Sequence, residues 1–261
     1  MLTVFRMPRR CYRILIINIW LALSVQASPL LDQMSAQFKR DFGIQIVADG
    51  EPYPVGGAEG TILAQNTGVN NADMVLSFLR KEFAKYPVEL IRLSGVKRIV
   101  LCRELRIGST RIAGVAVERN ASIYVDSTTM VGDELHRRRT FHHEFFHFLD
   151  YSRGGDIGSN PAWMAANAPG IAYGATPPPE KPGQHRWASH PAPGFVSDYS
   201  LKALPEDRAE LFAGLMTNNL TLRFMLQKDL YLATKVRLLK DELQQLCPKV
   251  DETFWTGVTK F

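Results

Sequence analysis

Cysteine is scarce in this chain of 261 residues, which has three: Cys11, Cys102 and Cys247. Cys102 and Cys247 alone follow the N-terminal segment. They permit one disulfide, and because both adjoin apolar runs, two buried free thiols are the other reading. Long apolar runs are also missing: Ile14 to Val25 spans 12 residues, short of the ~20 that a bilayer-spanning helix requires. Acidic residues are absent from positions 1 to 27, which hold Arg6, Arg9, Arg10 and Arg13. Without those arginines the formal net charge of +5 falls to +1. The remainder has no clustered basic patch with interleaved aromatics, which argues against a nucleic-acid partner. Internal repeats and low-complexity tracts are absent too.

The N-terminal segment has the three parts of an export signal. Arginines lead into the apolar run, and Val25-Gln26-Ala27 is a small-x-small cleavage pattern before Ser28. The expectation is a signal peptide over 1–27, a secreted or periplasmic product, and no stable membrane span after cleavage. Cys11 precedes the apolar run and is not placed as a lipoprotein cysteine. Residues 28–261 suffice for a domain with a substantial core.

Periodicity predicts an amphipathic helix over 28–42, with Leu30, Leu31, Met34 and Phe38 at helical spacing. A short strand over 44–47 and a Gly/Pro-rich loop over 51–60 follow. A second helix is expected from near Asn71 or Asp73 to about Lys85, stopping before Pro87. Val96 to Cys102 reads as a strand, and 111–117 with 121–126 as a hairpin. A long helix over 133–151 comes next. Residues 153–196, rich in Gly, Pro, Ala and Ser and including Pro177-Pro178-Pro179, are too long for a plain connector. Helices over 205–217 and 220–246 close the chain, the latter ended by Pro248. Strands followed by helices indicate an α+β domain: a small mixed sheet and hairpin, then a helical C-terminal half.

The long helix carries His143-Glu144-Phe145-Phe146-His147, an H-E-x-x-H register. Residues four apart share a helix face, so two imidazoles one turn apart can grip one metal ion, zinc being the usual case. Glu144 then stands beside the open coordination position, where a base for water is required. His142 cannot replace His143, because Phe146 occupies its i+4 position. A catalytic zinc site needs a third protein ligand. The metzincin continuation fails, since Asp150 and Arg153 stand where Gly and His are required. Leu204-Pro205-Glu206-Asp207-Arg208-Ala209-Glu210 offers the alternative. Pro205 suits a first helical turn, and Glu206 and Glu210 lie one turn apart on one face. One can bind metal while the other accepts a histidine ring N–H. Asp207 and Asp150 are lesser candidates.

Tyr199-x6-Glu206-x3-Glu210 downstream of H-E-x-x-H, with Leu211-Phe212 after it, resembles the catalytic domain of the anthrax lethal factor family. The Pro-Pro endopeptidases belong to the same wider group. The resemblance covers residues 140 to 215 and implies a zincin-like fold and a gluzincin site. One Zn2+ would sit on His143, His147 and Glu206, with Glu144 as general base, Tyr199 as oxyanion donor and Glu210 supporting a ligand. It also implies a peptide or protein substrate bound as an extended strand against a sheet edge. Ala121 to Asp126 is the strand nearest the motif and the expected edge. Pockets are expected from 153–196 through Trp163, Tyr173, His185, Trp187 and His190. His185 and His190 are weak candidates for a second metal, and Asn120 and Asn219 begin glycosylation sequons. The function so implied is an exported zinc-dependent metallopeptidase. The alternative is a secreted protein that keeps the fold and binds a protein or cell-wall partner without cleaving it.

Overall fold

The computed structural model describes residues 29–57, 60–67, 72–129, 133–154, 158–176, 187, 189–217 and 220–258. The signal-like segment 1–27 lies outside these residues, as do Asn71, Pro177-Pro178-Pro179, His185 and Asn219.

Among the described residues seven strands form one mixed sheet: β1 (Gln45–Val47), β2 (Val55–Gly57), β3 (Gly60–Asn66), β4 (Arg98–Ile107), β5 (Thr110–Arg111), β6 (Gly114–Val117) and β7 (Ser122–Asp126). The path runs β2-β3-β4-β7-β6, with β1 and β5 also on β4. The first half of β4 pairs in parallel with β1 and β7. Its second half pairs antiparallel with β3 and β5. The expected hairpin is present: β6 and β7 are antiparallel, with Val117 opposite Ser122. Its register, however, corrects the expected edge. β7 lies between β4 and β6 and is buried at all five positions, so β6 is the edge. Residues 51–60 are likewise not a plain loop, because the β2–β3 hairpin begins there.

Alternation along β4 and β7 separates two apolar clusters. Ile99, Leu101, Ile123 and Val125 join the larger one, beneath the helices. Val100, Cys102 and Tyr124 join a smaller one with Ile62 and Leu105. Cys102 and Cys247 are both buried free thiols, not a disulfide.

Among the described residues the helices are α1 (Pro29–Phe42), α2 (Ala72–Phe83), α3 (Val88–Ser94), α4 (Glu134–Ser152), α5 (Pro161–Ala165), α6 (Leu204–Met216), α7 (Leu220–Leu226), α8 (Leu230–Leu246) and α9 (Glu252–Val258). None is long and apolar enough to cross a membrane. Asp133 starts α4 by accepting from the amides of Leu135 and His136. Pro205 sits in the first turn of α6. The helix expected over 220–246 is broken, because Asp229 caps a new helix by accepting from Leu232 N. Leu220 and Leu230 are accordingly exposed, not part of one buried face. The fold is α+β, and α4 packed on α6 is the frame of the site.

Candidate metal centre

His143 and His147 project from one face of α4, and Glu206 meets them from the first turn of α6. His143 Nε2 lies 3.0 Å from Glu206 Oε2 and 3.1 Å from His147 Nε2, and His147 Nε2 lies 3.5 Å from Glu206 Oε2. Donors at zinc–ligand lengths of 2.0–2.1 Å in a tetrahedron stand ~3.3 Å apart. Two neutral imidazoles and a carboxylate converging at that spacing fit a divalent metal. Among the described residues this trio is the one group of its kind.

The surroundings fix the tautomer. His143 Nδ1–H donates to Glu210 Oε1 at 3.0 Å, so that with a metal bound the Nε2 lone pair would face the centre. The other Glu210 oxygen accepts from Arg139 at 2.9 Å and Ser197 Oγ at 2.7 Å. Burial raises the Glu210 carboxyl, but the Arg139 charge and the His143 hydrogen bond outweigh it and hold the pKa at about 2. Burial likewise opposes ionisation of Glu206, and both histidines reverse the effect and drive its pKa far down. In the metal-free arrangement burial lowers the His143 pKa, yet hydrogen bonds to Glu206 and Glu210 lift it to about 10.

Glu144 points into the same cleft and accepts from Ala116 N of edge strand β6 at 2.8 Å. Burial pushes its carboxyl pKa up, against the neighbouring His143 and His147, which pull it down. Gly114 allows this approach: a Cβ there would come 3.1 Å from Glu144 Cγ and 3.1 Å from Thr140 Cγ2.

Tyr199 reaches the site from a 3-10 turn, Asp198–Leu201, that Ser197 caps. Its hydroxyl is 3.4 Å from Glu206 Oε1 and accepts from Lys202 Nζ at 3.1 Å. Lys202 also donates to Glu206 Oε1 at 3.2 Å. This distal oxygen is therefore engaged, and Oε2 faces the histidines. The sequence reading missed Arg139, Ser197 and Lys202. Arg139 was accessible, standing one helical turn before His143. Lys202 precedes Glu206 by four residues but lies outside the helix, so helical spacing did not mark it.

The lesser ligand candidates are engaged elsewhere. Asp207 is fully buried on another face of α6, where it accepts from Trp163 Nε1, Tyr173 OH and Lys235 Nζ at 2.7–2.8 Å. Asp150 pairs with Arg208 at 3.0 Å. The aromatic residues of 153–196 are corrected in the same way: none of its described residues lines the cleft. Trp163 and Tyr173 serve Asp207. Trp187 stacks over Arg139 at 4.1 Å, and His190 bonds Asp229 at 2.9 Å. His190 is thus committed to the α8 cap, and the proposed second metal loses that ligand.

No protein-family model and no curated protein matches the chain. A solved structure does: that of a proposed zinc-binding metallo-peptidase from Bacteroides caccae ATCC 43185. It aligns over 89% of this chain and 94% of that one, with a TM-score of 0.52 and 15% identity. At that identity the likeness shows a shared α+β fold and nothing finer.

Proposed function

We propose that the protein is an exported zinc-dependent metalloendopeptidase of gluzincin type, with a site arranged as in the lethal factor family. The observation that carries this reading is the convergence of His143, His147 and Glu206 to donor separations of 3.0–3.5 Å beside Glu144. The zinc-binding metallo-peptidase description of the Bacteroides neighbour supports it. One Zn2+ held by these three residues would supply Lewis acidity, acidifying water and polarising a carbonyl.

The chain's own groups do the rest. Glu144, placed by the Ala116 amide, takes the proton from the attacking water and delivers it to the leaving amine. Tyr199 donates its hydroxyl proton to the scissile carbonyl oxygen as charge gathers there. Its 3.4 Å contact with Glu206 is long enough to be exchanged easily for that bond. Lys202 donates to the same phenol oxygen and makes the O–H a stronger donor. The substrate lies extended along β6, the edge beside the metal helix.

Glu144→Gln should keep the fold and bind zinc as the wild type does. Peptide turnover should fall by at least about a thousandfold, since general-base help and electrostatic placement are lost together. A peptide-library digest with and without chelator, alongside metal analysis of both proteins, tests this. Chelator-resistant cleavage, or cleavage by Glu144→Gln at the wild-type rate, would overturn it.

A further inference from the structure

The cleft has a second end that the chemistry above does not use. Its charged groups, His143, Glu144, His147, Lys202 and Glu206, gather at the metal. The lining beyond the edge strand is Gly57, Gly60, Ile62, Ile107, Ile112 and Val115, with no charge among these described residues. Ile62 is fully buried as a floor, while Ile107, Ile112 and Val115 are half-exposed walls. The geometry points to a subsite here for an aliphatic side chain of an extended peptide, one that sets which bond is cut. This rests on the peptidase reading.

The edge strand dictates how such a peptide would lie. Asp126 N donates to Ala113 O at 2.9 Å, so Ala113 faces β7. Antiparallel pairing alternates, which turns Gly114 and Ala116 outwards. The Ala116 N–H is held by Glu144. The N–H and C=O of Gly114 are therefore the pair that an added strand meets. Side chains on β6 alternate in turn: the Gly114 position faces Glu144 and α4, and Val115 faces the smaller apolar cluster. An added strand continues the pleat. One of its residues presents its side chain on the metal side, and the next presents its own to Val115, Ile112 and Ile107.

Two glycines keep that space open. A Cβ on Gly57 would come 3.1 Å from Ile62 Cδ1, and one on Gly60 would come 3.3 Å from Ile107 Cγ2. The whole cleft holds about 250 Å3. Its apolar end, a fraction of that, suits Val, Ile or Leu and leaves Asp, Lys or Trp either desolvated or excluded.

The test uses the zinc-loaded full chain and a peptide library with each position varied in turn. Cleavage is read with wild type, and binding of the same peptides is read by fluorescence anisotropy with Glu144→Gln. One position should favour Val, Ile or Leu over Asp, Lys and Trp by about 10- to 100-fold, the range an apolar pocket supplies. Ile107→Ala and Ile112→Ala should move that preference towards larger side chains. If either unfolds by circular dichroism, Ile107→Val and Ile112→Val, each one methylene smaller, should move it the same way by a few-fold. Cleavage without aliphatic preference, or a preference unmoved by the variants, overturns the subsite and leaves the peptidase intact. Selective binding without wild-type cleavage overturns the peptidase and, with it, the subsite's part in setting which bond is cut. Neither binding nor cleavage overturns both.

Discussion

Glu210 shows how much of the site depends on a residue that touches no metal. It orients His143, neutralises buried Arg139 and accepts from Ser197. Glu210→Gln keeps the shape and removes the negative charge that faces the buried Arg139 guanidinium at 2.9 Å. Breaking a buried pair from one side costs about 3 kcal/mol. Losing an outer partner of a ligating histidine weakens metal binding by about 10- to 100-fold. Urea unfolding and zinc competition against a chromogenic chelator should therefore both move. Wild-type zinc affinity in the variant would show that Glu210 acts on stability alone. Helical spacing pairs His143 with His147 and Glu206 with Glu210, and the structure brings His143, His147 and Glu206 together; the family resemblance, not spacing, marked Glu206 rather than Glu210 as the candidate ligand. Tyr199 sits on a 3-10 turn and Lys202 just beyond it, where no period relates them to the candidate ligands, and only a family resemblance marked the tyrosine.

The helix that carries the candidate ligand histidines, α4, is held on its other face by α2 and by Tyr86 just after it. His142, fully buried, donates to Glu82 from Nε2 at 2.8 Å and accepts the Tyr86 hydroxyl at Nδ1. Burial lowers the His142 pKa to about 4 despite Glu82. Burial raises that of Glu82, but His142 and Lys85 reverse this and bring it to about 2. The unfolded chain therefore binds more protons than the folded one, at His142 between pH 6.5 and about 4 and at Glu82 between 4.5 and about 2. The stability that His142 and Glu82 contribute is complete above pH 6.5 and falls as pH falls through both windows. The histidine window alone is worth about 3 kcal/mol. Urea unfolding in steps from pH 7 to pH 4 should show the decline, and a flat profile would mean that His142 is protonated in the fold. At this scale the helix over 133–151 and the β6–β7 hairpin were legible through clear periods, while the break inside the helix expected over 220–246 was not, because Asp229 caps a new helix within a continuous apolar pattern. The β2–β3 hairpin was not, because Val55-Gly56-Gly57 offers no side-chain alternation. Neither was the edge, because strand order depends on β4 pairing in parallel with β7, a long-range contact with no local signature.

Across the whole molecule, zinc would join two halves of the chain, α4 behind the sheet and α6 at the start of the C-terminal helices. The larger apolar cluster already joins them, running from Leu31 in α1 to Val258 in α9 through Phe141, Phe145, Phe146, Leu211 and Phe212. A bound metal would therefore be a fastening and not the source of the fold. In its absence a protonated His143, held between Glu206 and Glu210, keeps the donors together. Chelation should leave a folded protein with one cooperative transition. Zinc at a hundred times its dissociation constant should raise stability by about 2.7 kcal/mol, which for a chain of this size shifts the melting temperature by about 5–10 °C. Calorimetry of the apo and zinc-loaded protein, with His147→Ala as the control that should lose the shift, measures this. Collapse of the cooperative transition on chelation would show that the apolar cluster cannot hold the two halves without the ion. An equal shift in His147→Ala would place the stabilising metal at some other site.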